Sequence, residues 1–234
     1  MEWYVMKVVK TANEELDRRI GGIPHPSTII VEGEHGVGKT VFAGQLAYGF
    51  LQNDMKVVFV TTEALSYDLV VKLRGVKVDL VEAFLEGRFR VVPVNVKRFS
   101  WLSRQAEALL SRLLEYVRGV SVDCIIVDSL SLMASYVEER ALLDFIRNLR
   151  QLQDKGKTVI LTVHPPTFEE SLLTQVRSMV DVYFRIKAVS IGGRRLKSLE
   201  RIKNTGGFVG SDVVSFDIDP ALGLRVVPLS ISRG

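Results

Sequence analysis

The sequence predicts an α/β fold with a mostly parallel central sheet flanked by helices and with antiparallel strands towards the carboxyl terminus. Five short apolar runs alternate with segments of helical periodicity, which is the pattern of βαβ units. These runs cover residues 28–31, 57–60, 90–94, 124–127 and 158–163. The chain has 234 residues and a mass of 26.2 kDa, so we expect one domain that spans residues 1–234.

Two of the segments between these runs have the spacing of amphipathic helices. Residues 101–117 and 141–152 repeat apolar side chains at intervals of three or four, which places those side chains on one helix face. The predicted inward-facing residues are Leu102, Ala106, Leu109, Leu113 and Val117 in the first segment, and Leu142, Ile146, Leu149 and Leu152 in the second.

The pattern changes after about residue 180. Apolar segments 182–186, 195–202, 213–218 and 224–229 are separated by two Gly-Gly pairs and by the turn Asp-Pro-Ala-Leu-Gly. Such residues are typical of tight turns between strands. We therefore expect antiparallel strands that extend the edge of the sheet.

The composition excludes several classes of protein. A hydrophobic fraction of 47% and a charged fraction of 25% indicate a globular chain rather than a disordered one. The net charge of +4 suits an anionic ligand but does not require nucleic acid. The single cysteine, Cys124, cannot form an internal disulfide and is expected in the core. Neither a membrane-spanning run nor a signal peptide is recognisable, so we expect a cytoplasmic protein without a membrane span.

Residues 33–40 read G-E-H-G-V-G-K-T, which matches the phosphate loop G-x-x-x-x-G-K-[ST] between a strand and a helix. Glycines let backbone N–H groups approach phosphate oxygens, and the helix start adds positive potential. Lys39 is expected to contact the β- and γ-phosphates of ATP, and the Thr40 hydroxyl to ligate Mg²⁺. For His35 we expect only the backbone to matter. The predicted nucleotide-binding residues are Gly33, Glu34, His35, Gly36, Val37, Gly38, Lys39, Thr40 and Val41.

Polar residues end three other apolar runs. Asp128 follows four apolar residues and is expected to be the Walker B carboxylate that holds Mg²⁺. Glu63 is a candidate to orient or deprotonate the attacking water, and the alternative is an acid that stabilises a helix start. His164 either senses the γ-phosphate or is hydrogen-bonded by loop backbone, and the sequence leaves both interpretations open.

The order of these motifs resembles the RecA-like KaiC superfamily. The segment T-A-N-E-E-L-D-R-R-I-G-G-I-P precedes the Walker A loop, and a late G-G-R-R-L-K-S-L-E-R-I-K segment follows the Walker B run. The segments V-D-V-Y-F, N-T-G-G and S-F-D-I-D-P-A-L-G-L-R-V-V-P-L-S resemble the accessory ATP-binding proteins of the archaeal swimming motor, the archaellum. The resemblance covers nearly the whole chain and implies a RecA-like P-loop domain.

The same resemblance implies a place in the cell and a set of partners. It implies a homo-oligomeric ring, expected to be a hexamer, with ATP bound near the subunit interfaces. It also implies a position at the cytoplasmic face of the membrane-embedded motor, beside the motor ATPase and a membrane-anchored scaffold ring. In this family the bound nucleotide governs assembly with the motor ATPase.

Two departures from the KaiC pattern bear on the expected activity. KaiC-type domains carry two adjacent glutamates where this chain has Thr62-Glu63, and they present Lys-x-Arg to the neighbouring γ-phosphate where this chain has Lys203-Asn204-Thr205. Lys203 remains as a catalytic cation, but an ammonium lacks the bidentate fork of a guanidinium. We therefore expect a P-loop ATPase that binds ATP tightly and hydrolyses it slowly.

Two other functions use the same core. A recombinase-like DNA-dependent ATPase needs basic loops after the Walker B strand and after His164, but both loops contain paired glutamates, which disfavour nucleic acid. A clock-type autophosphorylating KaiC homologue normally has two tandem domains, and here only Ser230 and Ser232 offer acceptors in the tail. For the adenine base, we expect contact with the turn around Ile218 and Pro220.

Overall fold

The computed structural model describes residues 6–94, 103–165, 169–205 and 213–228. The strands in these ranges are β1 (Lys7–Val9), β2 (Ile23–His25), β3 (Thr28–Gly33), β4 (Val57–Thr61), β5 (Phe89–Pro93), β6 (Cys124–Asp128), β7 (Thr158–Val163), β8 (Val182–Ile191), β9 (Arg194–Asn204), β10 (Val213–Asp219) and β11 (Gly223–Val226). The helices are α1 (Glu14–Ile20), α2 (Lys39–Gln52), α3 (Ser66–Arg74), α4 (Val81–Leu85), α5 (Ser103–Gly119), α6 (Ser131–Ala134), α7 (Glu139–Arg150) and α8 (Glu170–Met179), and a short 3-10 helix covers Gln153–Lys155.

Nine strands form one sheet, in the order β11-β10-β9-β8-β3-β7-β6-β4-β5. The six strands from β8 to β5 are parallel, and the pairs among β8, β9, β10 and β11 are antiparallel. The predicted α/β class, the mostly parallel sheet and the antiparallel strands near the carboxyl terminus are confirmed. All five apolar runs are strands, and their predicted bounds differ from the observed ones by at most two residues.

The position of β8 differs from the prediction. We expected every strand after residue 180 to be antiparallel, but β8 pairs in parallel with β3, with Ile29 opposite Val182. Helix α8 returns the chain along the sheet before β8 begins, so β8 runs in the same direction as β3. The antiparallel extension therefore starts only at β9, after the turn at Gly192 and Gly193.

The parallel strands are buried on both faces, which explains their continuous apolar sequence. All six residues of β3 are buried, and they alternate between two hydrophobic clusters. Ile29 and Val31 face the cluster that contains the α2 residues, whereas Ile30 faces the cluster that contains α5 and α7. Each such fully buried side chain stabilises the fold by about 1.5–3 kcal/mol. Cys124 is fully buried, as predicted.

Helices α5 and α7 confirm the two amphipathic segments, with one correction. In α5 Leu110 is buried although it was not predicted to be, while the predicted Leu109 is only partly buried. Both residues lie near the apolar stripe, and the contact with the sheet decides which of them is covered. The other described inward positions are buried as predicted, namely Ala106, Leu113, Val117, Leu142, Ile146, Leu149 and Leu152. The predicted positions Leu102, Leu229, Ser230 and Ser232 lie outside the described residues.

The amino-terminal elements had no predicted structure. Strands β1 and β2 form a separate two-stranded antiparallel sheet. The side chain of Asn13 caps α1 by accepting from the Leu16 N–H at 3.1 Å, and it donates to the Leu224 carbonyl at 2.6 Å. This one amide therefore attaches α1 to β11, more than two hundred residues later in the chain.

None of the helices in the described ranges combines the length and the apolar character that a membrane crossing requires.

Candidate functional site

The loop between β3 and α2 has the backbone conformation that its glycines permit. Gly36 and Gly38 have φ angles of 77° and 100°, in the region that side chains disfavour. A Cβ atom on Gly38 would lie 2.4 Å from Cδ1 of Ile218. A Cβ on Gly33 would lie 2.8 Å from the Ile186 carbonyl oxygen. The packing of β8 and β10 against this loop therefore requires glycine at both positions.

Lys39, the first residue of α2, is buried and has three hydrogen-bond acceptors. Its ammonium donates to the Gly33 carbonyl at 2.7 Å, to the Glu34 carbonyl at 2.8 Å and to Nδ1 of His164 at 3.1 Å. Burial lowers the pKa of Lys39, and the nearby Glu63 and Asp128 carboxylates oppose that change. The positive charge thus lies directly under the loop, where the helix start and the backbone N–H groups also favour an anion.

Asp128 ends β6 beside the loop. Its Oδ1 accepts from the Thr162 hydroxyl at 2.6 Å, whereas its buried Oδ2 has no hydrogen-bond partner. Burial raises the pKa of Asp128, and the Thr162 hydrogen bond opposes the increase. A buried carboxylate oxygen without a partner is costly, and a cation would satisfy it.

Asp128 and Thr40 fit a Mg²⁺ ion that takes its other ligands from a bound nucleotide and water. The described residues contain no cluster of three or more His, Cys, Asp or Glu that could hold a metal alone. Mg²⁺ commonly takes one or two protein oxygens and completes its shell with substrate phosphates and water. Asp128 and the Thr40 hydroxyl offer these oxygens, and Thr40 lines the same cleft as the phosphate loop.

Glu63 lies in the loop after β4, with 42% of its side chain exposed. Its N–H donates to the Thr61 hydroxyl at 3.2 Å. The Thr62 hydroxyl accepts from the Ser129 N–H at 3.2 Å, and the Thr62 N–H donates to the Asp128 carbonyl at 2.9 Å. These bonds join the loops after β4 and β6, so the carboxylate of Glu63 is held near that of Asp128.

His164 follows β7 and contacts three parts of the site. Its backbone N–H donates to the Ser131 hydroxyl at 2.7 Å. Its ring Nε2 lies 3.6 Å from Oε1 of Glu63. Its ring stacks on His35 with centroids 3.8 Å apart. Because the Lys39 ammonium can only donate, Nδ1 of His164 accepts and Nε2 carries the proton. Burial, the Lys39 ammonium and His35 lower the pKa of His164 to about 4, so the ring is neutral at pH 7.

Contacts with loop backbone alone therefore do not describe His164, since its ring lies against three side chains of the cleft, those of Lys39, Glu63 and His35. The ring of His35 forms a stack with His164 that the sequence did not predict.

The cleft beside the loop has a volume of about 350 Å³. Most of the predicted residues that line it come from the phosphate loop, and Glu63, His164 and Ile218 complete the set. Two lining residues are outside the predicted set of site residues, Lys72 on α3 and Lys197 on β9. Lys197 belongs to the late basic segment G-G-R-R-L-K-S-L-E-R-I-K and forms a salt bridge with Asp217 at 3.0 Å. Neither lysine is part of a phosphate-loop motif, so the fold places them beside it.

Several predicted residues do not line the cleft, among them Asp128, which is buried at the end of β6. Gly33 and Glu34 act through their carbonyl oxygens on Lys39, and Val37 is buried beneath the loop. Pro220 lies in an exposed turn outside the cleft wall. Lys203 does not line the cleft of its own chain. Its ammonium donates instead to the carbonyls of Arg177 and Ser178 at the end of α8, both at 2.9 Å.

The arrangement has the chemical groups needed to bind a triphosphate and its metal. The carboxyl ends of β3, β4, β6 and β7 bring together a lysine, two carboxylates and a neutral imidazole, at the edge where ligands of parallel sheets usually bind.

Known proteins resemble this chain over most of its length. A family model described as "ATPase: KaiC" matches residues 9–231. The archaeal flagellar ATP-binding protein FlaH of Sulfolobus acidocaldarius is 46% identical over 97% of this chain and 99% of its own length. The FlaH protein of Methanocaldococcus jannaschii is 31% identical over 96% of this chain and 97% of its own length. A crystal structure of the flagellar accessory protein FlaH from the same organism superposes with a TM-score of 0.83 at 27% identity, covering 96% of this chain and 100% of that one.

Proposed function

Because the chain belongs to the KaiC ATPase family and, within it, to the archaeal flagellar ATP-binding proteins called FlaH, we propose that it is an ATP-dependent assembly component of the archaeal motility motor. In this proposal it binds ATP with Mg²⁺ and hydrolyses it slowly. The observation that carries the proposal is the buried Lys39 ammonium under the phosphate loop, together with the buried Asp128 carboxylate at the end of β6, whose Oδ2 has no hydrogen-bond partner. The flagellar names of the relatives support the link to motility.

Each described group has a distinct role towards the nucleotide. The loop N–H groups and the Lys39 ammonium bind the phosphate oxygens. To do so, the ammonium leaves the loop carbonyls that it contacts in the structure. Asp128 and Thr40 hold Mg²⁺, which neutralises phosphate charge when bound. Ile218 packs against Gly38 and supplies an apolar surface for the base or ribose, whereas the exposed Pro220 contributes the turn that positions it.

Hydrolysis requires a group that orients water, and Glu63 is the described carboxylate best placed for it. Its Oε1 lies 3.6 Å from Nε2 of the neutral His164 ring, which is longer than a hydrogen bond, so the carboxylate remains available to a water molecule. The described cations that line the cleft are Lys39, Lys72 and Lys197. None of them is an arginine, and an arginine finger contributes about 10³–10⁵ in rate where one operates. This composition supports slow turnover.

The subunit arrangement is part of the proposal. We infer a homo-oligomeric ring, with a hexamer as the expected form, that docks to the motor ATPase and to a membrane-anchored scaffold ring at the cytoplasmic face of the membrane. In such a ring Lys203 would contact the nucleotide of the neighbouring subunit. Its ammonium would then exchange the two α8 carbonyls for phosphate oxygens.

The test is to measure ATP binding and hydrolysis on the same preparations of wild type, Lys39→Ala and Glu63→Gln, with and without Mg²⁺. We expect tight binding and slow turnover in wild type, loss of binding in Lys39→Ala, and retained binding without turnover in Glu63→Gln. Light scattering of the same samples shows whether ATP drives assembly into a ring.

Two results would contradict the proposal. Fast turnover in wild type that disappears in Glu63→Gln would indicate a working motor rather than an assembly switch. Stimulation of turnover by single-stranded DNA would favour the recombinase-like alternative, for which the described loop after β6, with its paired glutamates Glu138 and Glu139, gives no support.

A further inference from the structure

A second large cavity lies at the opposite end of the sheet from the nucleotide cleft. Its volume is about 730 Å³, and its wall comes from the segments that lead into β4, β6 and β7. Asp123, in the cavity wall, lies just before β6, and Asp128, in the nucleotide site, lies at its end. The two are roughly 16 Å apart at the rise of a strand. The two sites therefore share the sheet but no side chain.

Five of the thirteen residues that line this cavity are lysine or arginine, and one is acidic. The five are Lys7 in β1, Lys56 before β4, Arg118 in α5, and Lys155 and Lys157 before β7. We call the cavity with these five cations in its wall the basic cavity.

Within the described part of the chain, none of these five side chains forms a salt bridge with a carboxylate. The one acid, Asp123, is engaged by backbone, because its Oδ2 accepts from the Lys56 N–H at 2.8 Å. Arg118 donates to the amide oxygen of Asn148, which is uncharged. The five positive charges of the basic cavity therefore outnumber its single negative charge, that of Asp123.

The crowding of positive charge affects the groups on the cavity wall. Burial lowers the pKa of Lys157, and the ammonium of Lys155 lowers it further. Burial also lowers the pKa of His25, with Lys7 adding to the effect. The Asp123 carboxylate opposes both changes but does not reverse either one. Like charges that converge on a cavity repel one another unless an anion binds between them.

Shape and composition narrow the class of anion. A volume of about 730 Å³ lies in the range of small-molecule sites, about 300–1,000 Å³. No Phe, Tyr or Trp is among the described lining residues, so the stacking platform that single-stranded nucleic acid uses is missing. Lysine and arginine side chains on several elements suit an anion with several phosphate groups.

We propose that the basic cavity binds a small polyphosphate anion, either a free inorganic chain or the phosphate chain of a nucleotide. This inference concerns a site separate from the proposed nucleotide cleft and does not depend on the ATPase activity.

The test uses tripolyphosphate and ATP as separate probes, without Mg²⁺, in isothermal titration calorimetry. The background is Lys39→Ala, which disables the phosphate loop, so the remaining binding reports the cavity. Lys56→Glu/Lys155→Glu reverses two exposed cavity charges, and Arg112→Glu/Arg140→Glu reverses two exposed charges on α5 and α7 outside the cavity. Lys157 is left unchanged because its ammonium caps the end of α5 through the carbonyls of Val117 and Val120.

We expect tripolyphosphate to bind the Lys39→Ala background. Its Kd should rise at least about tenfold in the cavity variant and change little in the control variant. A lower Kd for tripolyphosphate than for ATP indicates a free inorganic chain, and a lower Kd for ATP indicates the phosphate chain of a nucleotide. Circular dichroism and thermal melting check that the variants fold, and Lys56→Gln/Lys155→Gln serves as the milder change.

Three results would overturn the inference. These are no binding of tripolyphosphate to the Lys39→Ala background, an equal loss of affinity in the cavity and control variants, or binding of an oligonucleotide without binding of tripolyphosphate. Because the cleft is disabled throughout, failure here leaves the proposed ATP-binding function unaffected.

Discussion

The imidazole rings of His35 and His164 stack with centroids 3.8 Å apart and planes 24° from parallel. His35 belongs to the phosphate loop and His164 follows β7, so the stack fixes the loop against the neighbouring strand. The same His164 ring accepts a hydrogen bond from Lys39. The position of the phosphate-binding lysine therefore depends on a contact between two histidines.

Replacing His35 separates the role of the stack from that of the loop backbone. His35→Ala should weaken ATP binding by about 0.5–1.5 kcal/mol, or about two- to twelvefold in Kd, because His164 loses the ring that holds it. His35→Phe keeps an aromatic ring and should bind nearly as well as wild type. Calorimetric titration with ATP and Mg²⁺ measures both values. Equal losses in the two variants would show that the imidazole nitrogens matter and the stack does not.

The pH dependence of stability should report the environment of His164. Its pKa is about 4 in the folded protein and about 6.5 in the unfolded chain. The unfolded state therefore takes up the proton first, and the stability present above pH 6.5 is lost as the pH falls towards 4. Urea unfolding at pH 7 and pH 4.5 should show a smaller loss in His164→Asn than in wild type, by about 1–3 kcal/mol. His25 also has a lowered pKa, so the difference between the two proteins is the relevant quantity. Equal losses in both proteins would contradict the assignment.

Gly38→Ala should destabilise the loop, because this residue has a φ angle of 100° and faces Ile218 at close range. Such backbone strain costs about 1–3 kcal/mol, and the new methyl group would lie 2.4 Å from Ile218 Cδ1. Thermal melting and ATP binding should both decrease. The double variant Gly38→Ala/Ile218→Ala should recover part of the stability by removing the clash. Gly119→Ala is the control, since a Cβ at Gly119 meets no atom within 4 Å.

The hydrogen bonds of the buried Glu32 carboxylate lead to a separate prediction about stability. It accepts from the Tyr183 hydroxyl and from Nε of Arg185 at 3.2 Å, and it lies 3.7 Å from Arg177. Tyr183→Phe removes one donor from a buried charge and should lower the free energy of unfolding by about 1–3 kcal/mol. Tyr67→Phe removes a hydroxyl from a side chain at an exposed position and should change it little. Urea denaturation of the two variants tests this. An unchanged free energy of unfolding in Tyr183→Phe would show that the arginines alone stabilise the Glu32 carboxylate.

Lys72 is the exposed cleft cation that the sequence did not predict. If its ammonium approaches bound phosphates, Lys72→Gln should raise the Kd for ATP about three- to tenfold, with a smaller effect at high salt. Lys187→Gln is the matched control, because Lys187 pairs with Glu200 on the antiparallel part of the sheet. Identical affinities of the two variants at low salt would remove Lys72 from the binding site.

The sequence predicted the parallel part of the fold well because those strands are buried on both faces. Such strands appear as continuous apolar runs, and β7 has the bounds that its run predicts. The phosphate loop is equally local, since its glycines, lysine and threonine are adjacent in the chain. The elements that were missed include β1, β2 and the helices α1, α3, α4, α6 and α8, each of ten residues or fewer, and such short segments carry little periodicity.

The sequence by itself determined the fold class, the phosphate loop and the residues at the strand ends, because each depends on neighbours within a few positions. Only the tertiary structure decided that β8 pairs with β3, that His35 stacks on His164, and that Lys72 and Lys197 reach the cleft. It alone also gathers the five cations of the basic cavity from separate segments. These contacts join residues that are distant in the chain, so packing determines them and local spacing does not.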